Sequence, residues 1–445
     1  MRILLIQPMM NMRPMDTRLK TRMSPSLALL TLLRLTPEGN EVILINENLQ
    51  PLDFDNPADL VGITVTLDVM PRACRIAEEF QRRGIPVVAG GIHITACPEE
   101  CLPHFDAVCV GPAERVWARM VQDAAGKQLN RIYRDMENFR GEELASPLYG
   151  GIDTSPYLYS NVITTSHGCP NRCDFCYNSC KNRLYVRRPI PDVLSDIKDL
   201  KTRHILFIDD NFIGDASYTR LLLQELRGMN LKWSAAVTTK ILDFPELLDL
   251  MEKTGCQSLF IGFETLNNSA LQGVHKDNRF ERYEALIKAI HDRGIMINAS
   301  LVFGLDGDGP EVFPRTLDWL VKNRIETMTA HILTPYPGTE LYRRMEAEGR
   351  ITQRDLSQYN TAHVVFAPRD MTAEELYNGY LWMYRRFYAF RSILRRMPQM
   401  KKQRMSYLLF NLLYRKFGRL TAILAWLVSM GALGRWAARL SYRIR

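Results

Sequence analysis

The chain has 445 residues, more than one hydrophobic core normally accommodates, so we expect two or three domains. A hydrophobic content of 46% and a charged content of 24% are globular values and exclude a disordered or fibrous chain. The net charge of +8 is uneven, because residues 376–445 carry 15 Lys and Arg and no Asp or Glu, whereas the first 375 residues carry 42 basic and 49 acidic side chains.

The amino-terminal region, residues 1–125, alternates short apolar runs with helical patterns. The apolar runs read RILLIQP, EVILIN, LVGITV, IPVVAGG and AVCVG, and a helical pattern covers 71–83. Alternating strands and helices predict an α/β domain with a doubly wound, Rossmann-like parallel sheet. Its ligand site is expected at the carboxyl ends of the strands, in the loops 64–68, 90–93 and 111–114. Gly90 and Gly91 are also compatible with a simple turn.

A weakly periodic segment, 126–158, is predicted to be a linker, and a second series of strands and helices follows it over 159–350. The predicted strands are 161–166, 204–208, 233–238, 258–262, 296–303 and 328–334. Helical patterns lie between them, at 190–200 and 282–293 for example. Six such units predict a partial (β/α)6 barrel with its active site at the carboxyl ends of the strands.

Four cysteines lie directly after the first of these strands, in the sequence SHGCPNRCDFCYNSC. Zinc usually takes four ligands in two pairs; Cys180 is available as a fourth ligand, although four thiolates on one short loop are cramped. Three cysteines, Cys169, Cys173 and Cys176, fit a 4Fe–4S cluster with one iron open to an external ligand. Inert thiols are the remaining alternative. In a chain without a secretion signal, we expect the cysteines to be reduced and not to form a disulfide framework.

The stretch GCPNRCDFC resembles the signature of the radical S-adenosylmethionine (SAM) superfamily, and four later stretches resemble its strand segments in order. These are HILFIDDNF, LFIGFET, INASLVFGLDGDGP and HILTPYPGTELY. The resemblance implies that SAM binds the open iron and is cleaved reductively to a 5′-deoxyadenosyl radical, which abstracts hydrogen from an unactivated carbon. It also implies a set of SAM-binding residues, which are Phe175, Asp209, Asp210, Glu264, Asn298 and Pro335. Lys240 and Arg188 are further candidates for the SAM carboxylate, or form surface salt bridges.

A small α/β domain before such a barrel resembles the cobalamin-binding class of radical SAM enzymes, many of which are methyltransferases. VVAGGIH and AVCVGPAE resemble the glycine-bearing loops of that class. The cobalamin-binding residues implied are Thr64, Gly90, Gly91, Gly111 and Glu114. The DxHxxG motif that supplies a lower-ligand histidine elsewhere is absent after EVILI, as it is in many members of this class. His93 is a poor substitute ligand, and a loop histidine satisfied by the backbone is the simpler interpretation.

The carboxyl-terminal region, 351–445, is predicted to be helical, with a basic and apolar tail. Its longest uncharged run, 420–434, is shorter than the roughly 20 residues that cross a bilayer. Basic flanks without acids fit a helix lying in a membrane interface, or a helical domain packed on the barrel with its arginines in water. Nucleic-acid binding ranks last because the tail is too apolar.

The leading hypothesis is a cobalamin-dependent methyltransferase acting on an unactivated carbon of a small or lipid-like substrate. It would use an electron donor such as flavodoxin or ferredoxin, and peripheral contact with the inner face of the membrane is one interpretation of the tail. The alternatives are a cobalamin-independent radical SAM dehydration, rearrangement or cyclisation, and a non-catalytic metal-binding scaffold at a membrane. No residue identifies the substrate, the carbon acceptor or the product, and no catalytic side chain is assigned.

Overall fold

The computed structural model describes residues 1–14, 16, 18–157, 159–180, 182, 184–272 and 278–414. Two six-stranded parallel sheets follow one another along the chain. The first belongs to a Rossmann-like domain and the second to a partial barrel, and a helical region follows the barrel. No helix within these residues is long and apolar enough to span a membrane.

The first sheet has the strand order β2-β1-β3-β4-β5-β6. Its strands are β1 (Arg2–Gln7), β2 (Glu41–Asn46), β3 (Leu60–Thr64), β4 (Val87–Gly90), β5 (Ala107–Val110) and β6 (Ile132–Arg134), and its helices are α1 (Leu27–Leu35), α2 (Met70–Arg82), α3 (Ile92–Ala96), α4 (Pro98–Cys101) and α5 (Trp117–Ala125). Two separate hydrophobic clusters cover the two faces of this sheet. Strands buried on both faces need continuous apolar runs, which explains why the sequence pattern predicted five of them. β6 extends the sheet from within the predicted linker.

The second sheet has the order β14-β13-β12-β11-β10-β7, and its six strands form a barrel that does not close. These strands are β7 (Val162–Ile163), β10 (His204–Phe207), β11 (Lys232–Val237), β12 (Cys256–Glu264), β13 (Met296–Phe303) and β14 (Thr327–Ile332), and a short antiparallel ribbon is formed by β8 (Ser166–His167) and β9 (Val186–Arg187). The helices are α6 (Ile190–Asp199), α7 (Ala216–Glu225), α8 (Pro245–Lys253), α9 (Asn268–Gln272), α10 (Tyr283–Asp292), α11 (Val312–Lys322) and α12 (Glu340–Ala347). The predicted partial (β/α)6 barrel is confirmed.

The carboxyl-terminal region covers the open edge of β14. Its helices are α13 (Ala373–Phe387), α14 (Phe390–Arg395) and α15 (Lys401–Tyr414). The hydroxyl of Tyr388, the residue after α13, donates to the Met328 carbonyl at 2.7 Å and accepts from the Met328 N–H. The hydroxyl of Tyr384, on α13, does the same at Ala330. An exposed strand edge invites pairing with another chain, and these hydroxyls occupy its donors and acceptors instead. The predicted packing on the barrel therefore holds for 373–414, but the expectation that the arginines lie in water is wrong for Arg396, which is buried. Residues 415–445, including the apolar run 420–434, lie outside the described residues.

A fully buried arginine fastens these last helices to the base of the barrel. The Arg396 guanidinium donates to the carbonyls of Ile325, Glu326 and Phe387 and to the side chains of Ser392 and Asn411. It also lies 3.5 Å from the ring centroid of Phe387. Burial lowers the pKa of Arg396, but the bonded acceptors compensate for its lost hydration.

We expect Arg396→Met to destabilise the protein by about 2–4 kcal/mol, because several buried acceptors lose their donor. Equilibrium denaturation followed by hydrogen exchange in α14 and α15 measures the effect. The matched control is Arg395→Met, which alters an exposed neighbour and should change little. Equal stability of the two variants would contradict the anchoring role.

Candidate functional site

A cavity of about 510 Å³ lies between the two sheets, at the carboxyl ends of strands from both. All five residues predicted to bind cobalamin, which are Thr64, Gly90, Gly91, Gly111 and Glu114, line its amino-terminal side. The barrel side is lined by residues around the start of the cysteine loop and by the end of β10, including Asp209 and Asp210. The structure thus brings the two predicted cofactor regions to one space.

Of the two adjacent glycines on the amino-terminal wall, Gly91 is required by the backbone there. Gly91 has φ +115°, and a Cβ at this position would lie 2.6 Å from the Val65 carbonyl oxygen. At Gly90 a Cβ would meet only ordinary contacts, so its missing side chain serves to keep the cavity wall open. A wall of close backbone and small residues suits a large planar ligand, so this side fits a corrin.

Glu114 and Arg188 place buried charge at the same cavity. Burial raises the pKa of Glu114, while Arg188 acts in the opposite direction. Arg188 is 2% exposed and pairs with Asp196 on α6 at 2.8 Å. It also donates to the Thr164 carbonyl and to Ser146. Arg188 therefore forms a buried ion pair rather than a surface one, and it ties the segment before the barrel to its first strand.

The cysteine loop leaves the barrel between β8 and β9, whose pairing closes its base. Gly168 begins the loop at φ +77°, and a Cβ there would lie 1.9 Å from the Leu184 carbonyl oxygen, so only glycine fits. Cys169, Cys173 and Cys176 follow, all half-buried. Turns hold them in place, since Ser179 Oγ donates to the carbonyls of Cys173 and Cys176 at 2.6 and 2.7 Å.

Three cysteine thiols on one loop form a donor set that fits a 4Fe–4S cluster, which is held by thiolates. Burial raises the pKa of the Cys176 thiol to about 12, so iron binding there has to displace a proton.

A buried carboxylate positions the start of this loop. Asp209 is 4% exposed and accepts hydrogen bonds from the backbone N–H and the hydroxyl of both Thr165 and Ser166, at 2.6–3.1 Å. Burial raises the pKa of Asp209, and these bonds lower it. Asp210 lines the cavity instead. Desolvation raises the pKa of its carboxyl, while the hydrogen bond that it accepts from the Asn178 side chain lowers it.

The other predicted SAM-binding residues lie around the barrel at different depths. Glu264 ends β12 and Pro335 follows β14, so both are at the carboxyl ends of strands. Phe175 packs against the barrel core from the cysteine loop. Asn298 is the third residue of β13, far from its carboxyl end, and accepts a hydrogen bond from Thr329 at 3.1 Å. The roles of these residues stay predictions.

Glu264 also has an unusual backbone. It is 6% exposed and has φ +66°, and the register of β12 against β13 shifts between Gly262 and Glu264. A positive φ is costly for a residue with a side chain and persists where the surroundings impose it, often at functional sites. This observation supports a ligand-facing role independently of the sequence motif.

His93 is not available as a cobalamin ligand in this arrangement. It is 1% exposed, and its Nδ1 lies 3.1 Å from the Tyr177 hydroxyl. Burial lowers the pKa of His93 to about 4, so the ring is neutral at ordinary pH. The expected loop histidine satisfied by the backbone was wrong, because His93 lies in α3 and its ring contacts the Tyr177 side chain.

The comparisons with known proteins match this architecture. A radical SAM superfamily model matches residues 163–320, a B12-binding domain model matches 24–121, and a domain of unknown function matches 339–442. The chain is 29% identical over 359 residues to the bacteriochlorophyllide d C-12(1)-methyltransferase of Chlorobaculum tepidum, covering 78% of both proteins. It is 28% identical to the hopanoid C-2 methylase of Rhodopseudomonas palustris, covering 76% of this chain and 67% of that one.

Among solved structures, the fold is similar to that of TsrM, a radical SAM methyltransferase of Kitasatospora setae whose structure has cobalamin and a [4Fe-4S] cluster bound. The TM-score is 0.62 and the identity is 17%, and the superposition covers 78% of this chain and 75% of that one. The chain is a radical SAM enzyme. Its B12-binding domain places it among the relatives of the cobalamin-dependent radical SAM methyltransferases. The superfamily implies a 4Fe–4S cluster and SAM, and the first domain implies cobalamin.

We expect Asp209→Asn to lower iron uptake on anaerobic reconstitution and to cost about 2–3 kcal/mol of stability, because an amide cannot accept all the bonds that this carboxylate accepts. Iron and sulfide analysis with thermal unfolding measures both effects. Asp199→Asn, at the exposed end of α6, is the control. Full iron content and stability in Asp209→Asn would show that the loop is positioned by other contacts.

Proposed function

We propose that this enzyme methylates an unactivated carbon of a small, largely apolar substrate. The observation that carries the proposal is the shared cavity, which the cobalamin-type loops and the start of the cysteine loop line from opposite sides. With its cofactors bound, such a site supplies a methyl group and a 5′-deoxyadenosyl radical. The names of two relatives, a bacteriochlorophyllide methyltransferase and a hopanoid methylase, support methyl transfer to a tetrapyrrole or a lipid-like substrate.

The residues of this chain bind and orient the cofactors and enclose the site. We propose that Cys169, Cys173 and Cys176 hold the cluster, with Asp209 and Gly168 fixing their loop. Thr64, Gly90, Gly91, Gly111 and Glu114 form the wall for cobalamin. For SAM, Phe175, Asp210, Glu264, Asn298 and Pro335 remain the proposed contacts. The reductant is proposed to be a small electron carrier such as flavodoxin or ferredoxin.

We expect replacement of Cys169, Cys173 and Cys176 by Ala to abolish both the iron–sulfur absorption and the release of 5′-deoxyadenosine from SAM. The control is Cys74→Ala, a half-buried cysteine of the first domain, which should keep both. Wild-type protein desalted after incubation with hydroxocobalamin should retain corrin.

Methyl-deuterated SAM then tests transfer, with bacteriochlorophyllide d and a hopanoid as acceptors and mass spectrometry as the readout. Release of 5′-deoxyadenosine without corrin retention would favour cobalamin-independent chemistry. Tight zinc without iron would favour the scaffold hypothesis.

A peripheral contact with the inner face of the membrane is proposed for the carboxyl-terminal helices. Three large apolar side chains project from α14 and α15; Phe390, Leu394 and Met405 are 53%, 63% and 78% exposed. The sequence from 376 onward carries basic residues and no acidic ones. Exposed apolar groups beside basic groups suit an anionic bilayer, where each basic residue contributes about 1 kcal/mol.

We therefore expect the triple variant Phe390→Ser, Leu394→Ser, Met405→Ser to lose binding to phosphatidylglycerol vesicles in a flotation assay. Wild-type binding should weaken as salt increases, because screening reduces the electrostatic part. Leu221→Ser, at an exposed apolar residue of α7, is the matched control and should bind normally. Unchanged flotation of the triple variant would remove this proposal.

A further inference from the structure

We infer that His93 and Tyr177 are positioning residues that hold the Gly90–Gly91 loop at a fixed separation from the cysteine loop. Helix α3 starts directly after Gly91, and Tyr177 directly follows Cys176. The inference concerns the joint between the two domains and goes beyond the proposed methyl transfer, on which it does not depend.

Contact between His93 and Tyr177 is the first link in this joint. The buried His93 ring lies with Nδ1 3.1 Å from the Tyr177 hydroxyl. The Tyr177 ring stacks on Tyr336, which follows β14, with centroids 4.8 Å apart and planes at 15°. Tyr177 is thus held from both sides, by the first domain and by the last barrel strand.

Further contacts bind α3 on either side of His93. Asn182, beyond the cysteines, donates to the Thr95 carbonyl at 2.7 Å, and the Thr95 hydroxyl accepts from the Gly111 N–H at 3.0 Å. Helix α3 is therefore joined to the cysteine loop by two hydrogen bonds and to Gly111, on the amino-terminal wall of the cavity, by a third.

Close packing completes the joint at Gly338. A Cβ on this residue, which has φ +85°, would lie 3.0 Å from Cys97 Sγ and 3.7 Å from Cys180 Sγ. Cys97 follows α3 and Cys180 ends the turn after Tyr177. The two segments therefore meet on a glycine that leaves no free space, so a relative movement of α3 has to break specific contacts.

The length of α3 explains why side chains set its position. It has five residues, and an isolated helix that short is not stable in water. Its place is therefore determined by the groups that bond to it rather than by helix propensity. Of those groups, the His93–Tyr177 pair is the link adjacent to both cofactor loops.

Tyr177→Phe in the full chain tests this inference, because it removes the hydroxyl and keeps the ring that stacks on Tyr336. In cofactor-free protein, we expect hydrogen exchange in residues 90–97 to become about five-fold faster, the change that loss of one net hydrogen bond gives. After reconstitution with iron, sulfide and hydroxocobalamin and reduction, we expect weaker magnetic broadening of the cob(II)alamin EPR signal by the cluster.

Tyr149→Phe is the matched control, because the buried Tyr149 hydroxyl has no hydrogen-bond partner among the described residues. His93→Leu should reproduce both changes if Tyr177→Phe does not take up iron. His93→Asn, which restores a polar atom near the Nδ1 position, should bring exchange and broadening back toward wild-type values.

Wild-type exchange and broadening in both Tyr177→Phe and His93→Leu would overturn the inference, as would equal changes in Tyr149→Phe. Failure of methyl transfer alone would leave it standing, since the exchange measurement uses protein without cofactors.

Discussion

The position of the cysteine loop depends on one buried carboxylate. Asp209 lies just after the end of β10. It accepts hydrogen bonds from four donor groups of Thr165 and Ser166, the residues that lead into the loop. Burial of a carboxylate is unfavourable unless such bonds replace its water. The end of one strand and the start of the loop are therefore fixed together. Because the same residues bound the cavity, its barrel wall is fixed with them.

An open barrel creates a second requirement, because the unpaired backbone N–H and carbonyl groups at both edges of its sheet need hydrogen-bond partners. Near β7, the buried Arg188–Asp196 pair and the Ser146 contact attach the segment that comes from the first domain. Near β14, the hydroxyls of Tyr384 and Tyr388 take the place of a neighbouring strand. The gap left by an unclosed barrel is thus filled by the regions before and after it, which explains how six strands suffice.

Local sequence patterns predicted the sheets and the cysteine loop because those features are local. A parallel strand buried on both faces needs an apolar run, and a loop that binds a cluster needs its thiols close in sequence. The joint at α3 was not predicted, because GGIHITA has no helical period and His93 meets Tyr177 across 84 residues. The contacts of Tyr384 and Tyr388 at β14 were missed because they also join residues far apart in the sequence. β6 was missed because a strand of three residues, IYR, has no apolar run. The resemblance placed Asn298 among the SAM-binding residues, but the pattern could not show its depth in β13.

The backbone of Glu264 is strained at the end of β12. A bulge against β13 and a left-handed φ redirect the chain at the point where β12 leaves the barrel. Such a conformation costs on the order of 1–3 kcal/mol and needs support from its neighbours. Asn278 supplies part of that support, because its amide donates to the carbonyls of Gly262 and Phe263. The backbone conformation at Glu264 is therefore set by the fold itself.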